Sequence, residues 1–105
     1  MGLKAYDVTL DLIRELVEIE PLIARHDRDL ADQLHRAASS VLLNLSEGEC
    51  SLKGNKRKHY AIAHGSANEV RAALDLASAW GWVDAPQSTR AILDRVLRML
   101  YGLTR

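Results

Sequence analysis

Apolar residues recur every three or four positions in four successive segments, and this pattern restricts the fold more than any other feature of the chain. The segments span about residues 4–25, 30–47, 56–80 and 87–103 of 105 residues. This spacing places side chains on one face of an α-helix, and no segment shows the alternation typical of a strand. We therefore predict an all-α protein with one domain, residues 1–105. Four such helices with short connectors favour an up-down-up-down antiparallel four-helix bundle.

The apolar stripes also predict which side chains form the core. The second helix has a continuous stripe of Leu30, Leu34, Ala37 and Val41, and the next position in its rhythm is Asn44. The stripe of the first helix comprises Leu3, Tyr6, Leu10, Ile13 and Val17, widened by Leu16, Leu22 and Ile23. That of the third helix comprises Ile62, Ser66, Glu69, Ala73, Leu76 and Trp80.

Helix ends are predicted from breakers and caps. Pro21 is expected to bend or break the first helix near its end, and Asp27 or Asp29 to cap the second. Gly48 is a plausible stop for the second helix. Residues 49–55 are predicted to form a loop, because Gly54 and Asn55 disfavour a helix. At the other end of the third helix, Asp84 is expected to cap the fourth, and Trp80 and Trp82 either cap the bundle or anchor a subunit interface.

Composition limits the location and the chemistry. Fourteen acidic side chains balance fourteen basic ones, and Cys50 is the single cysteine, so an internal disulfide is impossible. Charged residues interrupt every apolar window near the N-terminus, which excludes a signal peptide or membrane span there. We expect a cytoplasmic protein that does not act at a membrane and uses no cofactor.

Two segments carry a family resemblance. The first segment, residues 33–48, begins with Gln-Leu-His-Arg-Ala-Ala (33–38) and ends with Asn-Leu-Ser-Glu-Gly (44–48). The second, residues 63–69, reads Ala-His-Gly-Ser-Ala-Asn-Glu. They resemble the Q-L-R-R-A-A…N-I-A-E-G and A-R-G-S-x-x-E patterns of a bacterial four-helix bundle family that includes the 23S ribosomal RNA intervening-sequence proteins. The motif positions carried over, as structural or interface residues, are Gln33, Arg36, Ala37, Asn44, Glu47, Gly48, Gly65, Ser66 and Glu69.

The resemblance implies a left-handed antiparallel bundle that is often a homopentamer and has no established enzymatic activity. A relative similar in fold, the accessory protein of diversity-generating retroelements, binds nucleic acid and a reverse transcriptase. His35 and His64 stand where the family usually has Arg, and Glu49-Cys50 replaces an aromatic-Gly-Arg loop. These departures remove positive charge or make it depend on pH.

Polar residues in the apolar stripes suggest a structural network. Because an unpaired buried carboxylate is costly, Glu69 is expected either to have a partner or to reach solvent. We predict that Asn44, Ser66 and Glu69 face inward in a hydrogen-bond network, with Arg36 or Gln33, that holds helices two and three in register. The alternative is a polar pocket for a ligand.

A single dense basic run offers a candidate nucleic-acid site. It comprises Lys53, Lys56, Arg57 and Lys58, followed by His59 and Tyr60. Cations at the start of a helix bind phosphates, and an adjacent aromatic ring stacks on a base. The alternative interpretation is a solvated surface without a specific ligand.

Catalytic patterns are sparse. The four histidines include no i, i+4 pair, so no metal site is predicted. Arg28 and His35 resemble the Arg-x4–6-His element of metal-independent RNases of the HEPN type, in which the histidine acts as general base. We favour a non-enzymatic oligomeric scaffold that binds RNA, DNA or a nucleic-acid-associated protein through residues 53–60. Two alternatives are a HEPN-like RNase that uses Arg28 and His35, and a purely structural protein–protein assembly module.

Overall fold

The chain forms four α-helices in a computed structural model that describes residues 4–105. They are α1 (Lys4–Ala24), α2 (Arg28–Glu49), α3 (Lys53–Ala79) and α4 (Gln87–Thr104). Each helix packs against the preceding one, and α4 closes against α1. Because residues 25–27, 50–52 and 80–86 are too short to run back along a helix, consecutive helices are antiparallel. The predicted all-α, up-down-up-down bundle is confirmed over the described residues, while its left-handed twist stays a prediction.

The core lies along the axis between the helices and is aliphatic. Its fully buried side chains include Leu12, Leu34, Leu74, Val96 and Leu100, so every helix contributes. The predicted stripe of α2 is confirmed, because Leu30, Leu34, Ala37 and Val41 are all buried. The cross-section is nearly square, with extents of 24 and 21 Å across a length of 42 Å.

The main row of the predicted α1 stripe is wrong by about one position, although Leu16 and Ile23, predicted to widen the stripe, are buried. The buried residues are Ala5, Val8, Thr9, Leu12, Leu16, Ile19 and Ile23. The predicted row, Tyr6, Leu10 and Ile13, is only half-buried, and Val17 is 64% exposed. Leu3 lies outside the described residues. The error arises because α1 carries two adjacent apolar rows, and periodicity does not tell which of them faces the core.

The predicted stripe of α3 is also partly displaced: Ser66 and Ala73 are buried as predicted, but the other members of the stripe are not. Ile62, Leu76 and Trp80 are exposed, and the core side is built instead from residues such as Tyr60, Val70 and Leu74. Many of the buried positions are small, including Ala63, Ala67, Ala73 and Ala77. These alanines bring α3 close to its neighbours, but they carry little signal in a pattern of large apolar residues.

Helix boundaries correct three further expectations. Pro21 does not break α1, which continues to Ala24, while the expected bend stays a prediction. α2 passes through Gly48 and has Cys50 as its C-cap. α3 begins at Lys53, so Gly54 and Asn55 belong to its first turn and not to a loop. The Asp27 cap of α2 is confirmed, since its carboxylate accepts a hydrogen bond of 3.0 Å from the Leu30 amide.

The end of the bundle opposite the α2–α3 connector is closed by stacked rings. Gly81, at φ +77°, lets the Trp82 amide donate back to the Ala77 carbonyl, which ends α3 in a Schellman turn. Trp82 is half-buried and stacks between the rings of His26 and Trp80. Trp82 therefore helps to close this end, whereas Trp80 remains 64% exposed.

Candidate nucleic-acid interface

The basic residues gather at the N-terminal end of α3. Lys53, Arg57 and Lys58 are exposed and Lys56 is half-buried, all within the first two turns. The N-cap residue, Leu52, makes no capping hydrogen bond through its side chain, and the first turn contains no acidic residue. The first backbone N–H groups of the helix therefore lack a side-chain partner. Cations and a positive helix end coincide here, and we call these four residues the basic end.

The geometry of the basic end suits an anion. Lys53, Gly54 and Arg57 line a shallow concavity of about 450 Å³ at the start of the helix. Within residues 4–105, none of the four basic side chains forms an ion pair with an acidic group. Helix N-termini bind phosphates through free N–H groups and the helix dipole. The side chains and the backbone thus present donors to the same region of solvent.

Tyr60 does not belong to this surface, which corrects its predicted role as a base-stacking residue. It is only 4% exposed. Its ring lies against Gly48 of α2, so that a Cβ added at Gly48 would come within 2.5 Å of the Tyr60 Cε1 atom. Burial, together with the charge of Glu49, raises the pKa of the Tyr60 hydroxyl above its ordinary value. Gly48 and Tyr60 together allow α2 and α3 to approach closely.

His59 lies at the border between the basic end and a polar network that crosses from α3 to α2. The side-chain amide of Asn44 donates to the Ser40 carbonyl at 2.9 Å and lies 3.1 Å from the Ser40 hydroxyl. The Asn44 oxygen is therefore left as an acceptor, and His59 Nδ1 donates to it at 3.0 Å. The Ser40 and Ser66 hydroxyls are 2.8 Å apart.

This network differs in membership from the predicted one. It joins Asn44 to Ser66, but through Ser40 and with His59, neither of which the apolar rhythm identifies as a partner. The available signal was the pairing of polar residues on antiparallel helices. Asn44 and His59 lie near the connector, Ser40 lies about one turn from Asn44, and Ser66 lies about two turns from His59. The network holds α2 and α3 in register beside the basic end.

Glu69 does not face inward, so its predicted place in the buried network is wrong, and it takes the other expected position of an unpaired carboxylate, in solvent. Because the core face of α3 lies on the Ala63, Val70 and Ala77 side, Glu69 reaches solvent. It lines a groove between α2 and α3 with Gln33, Arg36, Ala37, Ser40 and Ser66. Over the described residues, Gln33, Arg36 and Glu69 form no hydrogen bond or ion pair through their side chains. Their polar groups are available to a partner.

The remaining motif residues lie at helix surfaces. Gly65 is exposed, and a Cβ added there would have no atom within 4 Å. Glu47 is exposed, and its backbone carbonyl accepts a 2.6 Å hydrogen bond from the Ser51 hydroxyl. Gly65 therefore leaves the outer surface of α3 flat, while Glu47 helps to end α2.

Arg28 and His35 do line one groove, between α1 and α2, together with Glu20 and Asp32. His35 Nδ1 is 3.1 Å from a Glu20 oxygen, and its side chain is 65% exposed. The two carboxylates make the groove unfavourable for a phosphodiester. Across residues 4–105, no three His, Cys, Asp or Glu side chains are placed to share a metal ion. None of the described helices is apolar over a length that would cross a membrane.

Comparison with known proteins gives one family match. The model of the family described as "23S rRNA-intervening sequence protein" matches residues 1–102, nearly the whole chain. No curated protein matches the chain, and no solved structure matches it. The match covers both motif segments and all four helices except the last residues of α4. The chain therefore belongs to the 23S rRNA-intervening sequence protein family.

Proposed function

We propose that this protein is a non-enzymatic scaffold that self-assembles and binds RNA or DNA through the basic end of α3. The observation that carries the proposal is the coincidence of four unpaired cations with an uncapped helix N-terminus. Each of these features attracts phosphate, and neither is neutralised by a nearby acid. The basic end defined by the structure replaces the predicted patch of residues 53–60, since Tyr60 is buried and His59 is bonded to Asn44.

Assembly of several subunits raises the affinity of the basic end for a polyanion. Four cations give modest affinity for a polyanion at physiological salt. Several copies of the basic end on one particle act together on one strand, and their effective concentration multiplies the affinity. A net charge of zero favours association of subunits. Three large apolar side chains are exposed and available to be buried on assembly: Val17 on α1, Leu43 on α2 and Ile62 on α3.

The non-enzymatic part of the proposal rests on the groove that holds Arg28 and His35. His35 pairs with Glu20 at the surface, and Asp32 adds a second negative charge to the same groove. A phosphodiester would approach against these charges. Incubation of purified protein with end-labelled RNA tests this point, and we expect intact RNA. Cleavage that disappears in His35→Ala would establish the RNase alternative and overturn this part of the proposal.

The binding experiment measures fluorescence anisotropy of a labelled 20-nucleotide RNA of mixed sequence at about 50 mM salt. We expect saturable binding by the wild type that weakens at least tenfold in the double variant Lys53→Glu with Arg57→Glu, because both substitutions reverse charge beside the helix end. The matched control is Arg95→Glu with Arg98→Glu, which makes the same charge change at exposed positions of α4. The control should lose no more than about threefold, through the change in net charge.

Two outcomes would overturn the binding proposal. One is absence of binding by the wild type at low salt. The other is equal weakening in both double variants, since that would show attraction to the overall charge and not to the basic end. In the second case the purely structural assembly module becomes the better account.

A further inference from the structure

Tyr101 supplies the exposed aromatic ring that Tyr60 does not. It lies on α4 and is 56% exposed, whereas Tyr60 is only 4% exposed. His64 of α3 approaches its ring, with the two ring centroids 6.2 Å apart and the planes tilted by 49°. The Arg105 guanidinium lies 5.5 Å from the centroid of the same ring. Tyr101 is thus held between two helices while much of it remains open to solvent.

Tyr101 lies close to the basic end in space, although the two are far apart in the sequence. Because α3 and α4 pack antiparallel, the last turns of α4 lie beside the first turns of α3. Lys53, Arg57 and His64 follow one another at spacings of four and seven residues, which places them along one face of α3. Arg57 and His64 are about 10 Å apart along the helix axis. One continuous surface therefore leads from the basic end to the Tyr101 ring.

The charge and shape of this surface suit a single strand of nucleic acid. Residues 53–68 of α3 include four Lys or Arg side chains and no acidic one, and α4 has no acidic residue after Asp94. Ala61 lies between Arg57 and His64, and its small, exposed side chain leaves the path open. At roughly 3.4 Å per nucleotide, about three nucleotides cover the distance from Arg57 to His64. An unpaired base can then turn onto an aromatic ring, whereas a paired base stays inside its duplex.

The geometry points to a base-stacking subsite, in which Tyr101, flanked by His64 and Arg105, receives an unpaired base of a strand whose phosphates lie on the basic end. Aromatic rings and guanidinium planes are the groups on which proteins stack unpaired bases. Every base has such a face, so the subsite selects single strands over duplexes and not one sequence over another. This inference rests on the proposed function and narrows its ligand to nucleic acid with an unpaired stretch.

Titration of single-stranded and duplex RNA tests the subsite. The probes are a labelled, unstructured 20-nucleotide RNA and the blunt duplex formed with its complement, both measured by anisotropy at about 50 mM salt. Tyr101→Ala should weaken binding of the single strand about tenfold, the loss expected for one stacked base, and binding of the duplex less than about twofold. Tyr101→Phe keeps the ring and should bind both probes as the wild type does.

Two controls separate the ring from the cations. Trp80→Ala removes another exposed aromatic side chain, at the opposite end of the bundle, and should leave both affinities unchanged. Unchanged far-UV circular dichroism shows that each variant is folded. Tyr101→Ala should keep the wild-type slope of log affinity against log salt, because stacking releases no counterions. The double variant Lys53→Glu with Arg57→Glu should flatten that slope and weaken binding of both probes.

A second measurement removes the bases instead of the ring. A strand of abasic nucleotides keeps the phosphates, and the wild type and Tyr101→Ala should bind it with equal affinity. Three outcomes would overturn the subsite while RNA binding by the wild type still supports the proposed function: equal weakening of both RNA probes by Tyr101→Ala, an effect no larger than that of Trp80→Ala, or unequal affinities for the abasic strand. Absence of wild-type binding to either RNA would overturn the proposed function, and the subsite with it.

Discussion

At the scale of single residues, Gly48 and Tyr60 show how the family motif serves the fold. The glycine is not the helix stop that the sequence suggests, because α2 continues to Glu49. Glycine is required at position 48 because α2 and α3 approach closely here, and the buried Tyr60 ring occupies the space that a side chain would need. The tyrosine next to the cations is likewise a packing residue and not a stacking platform.

Replacement of Gly48 by Ala tests this packing. Alanine favours a helix interior over glycine by about 1 kcal/mol, but overpacking a rigid core costs about 1–3 kcal/mol. Because the new Cβ would meet the ring at 2.5 Å, we expect a net loss of up to about 2 kcal/mol in the free energy of unfolding, measured by urea denaturation. Gly102→Ala, in open space on α4, is the control and should be neutral or slightly stabilising. A stabilising Gly48→Ala would show that the ring moves away freely.

The Tyr60 hydroxyl predicts an alkaline loss of stability. Its pKa is raised by burial and by Glu49, so the folded protein holds this proton more tightly than the unfolded chain does. The stabilisation is complete below about pH 10, the pKa of tyrosine in an unfolded chain, and declines as the pH rises above it. Tyr60→Phe keeps the ring and removes the proton. We therefore expect a smaller fall in stability between pH 9 and 11 than in the wild type, and identical pH profiles would contradict this role.

At the scale of elements, the start of α4 depends on a distant helix. Its N-cap is Pro86, which provides no capping side chain, and the predicted Asp84 does not cap it. Instead, one oxygen of Glu15 on α1 accepts hydrogen bonds from the Ser88 and Thr89 hydroxyls at 3.0 and 2.8 Å. The positive end of α4 thus gains a carboxylate from α1.

Removal of that carboxylate should destabilise the bundle. Thr89 is fully buried, so Glu15→Ala leaves its hydroxyl without this partner and removes a charge near a helix N-terminus. We expect a loss of about 1–3 kcal/mol in chemical denaturation. Glu18→Ala, one turn away and exposed, should change stability by less than about 0.5 kcal/mol. Equal effects of the two substitutions would show that Glu15 contributes only general surface charge.

The sequence predicts which segments form helices, but it does not predict which face of each helix points to the core. Four periodic segments and short connectors identify four antiparallel helices, and the stripe of α2 is unambiguous. α1 has two adjacent apolar rows, and α3 packs largely through alanines. For these reasons the predicted core stripe of each helix is displaced by about one position from the face that packs in the core. The contact between Glu15 and Thr89 joins residues 74 apart, and local patterns carry no information about such a pair.

At the scale of the whole molecule, the structure shows surface features that the sequence alone does not predict, both in charge and in exposed apolar side chains. The basic run is recognisable as a motif, but its coincidence with an uncapped helix end appears only when α3 is seen to start at Lys53. Val17 and Ile62, predicted as core, are exposed on opposite sides of α2. These two misassigned core residues therefore lie on the surface, and the unbonded motif residues Gln33, Arg36 and Glu69 line the groove between α2 and α3.

The most direct test of an assembled, polyanion-binding scaffold is the salt dependence of RNA affinity. Anisotropy titrations at several salt concentrations compare the wild type with Val17→Glu, which keeps the basic end but should be monomeric. A monomer with four cations should give a slope of log affinity against log salt no steeper than about −3. We predict a steeper slope and tighter binding for the wild type, because several basic ends bind one strand. Absence of wild-type binding at low salt, or equal slopes and affinities for the two proteins, would contradict the account.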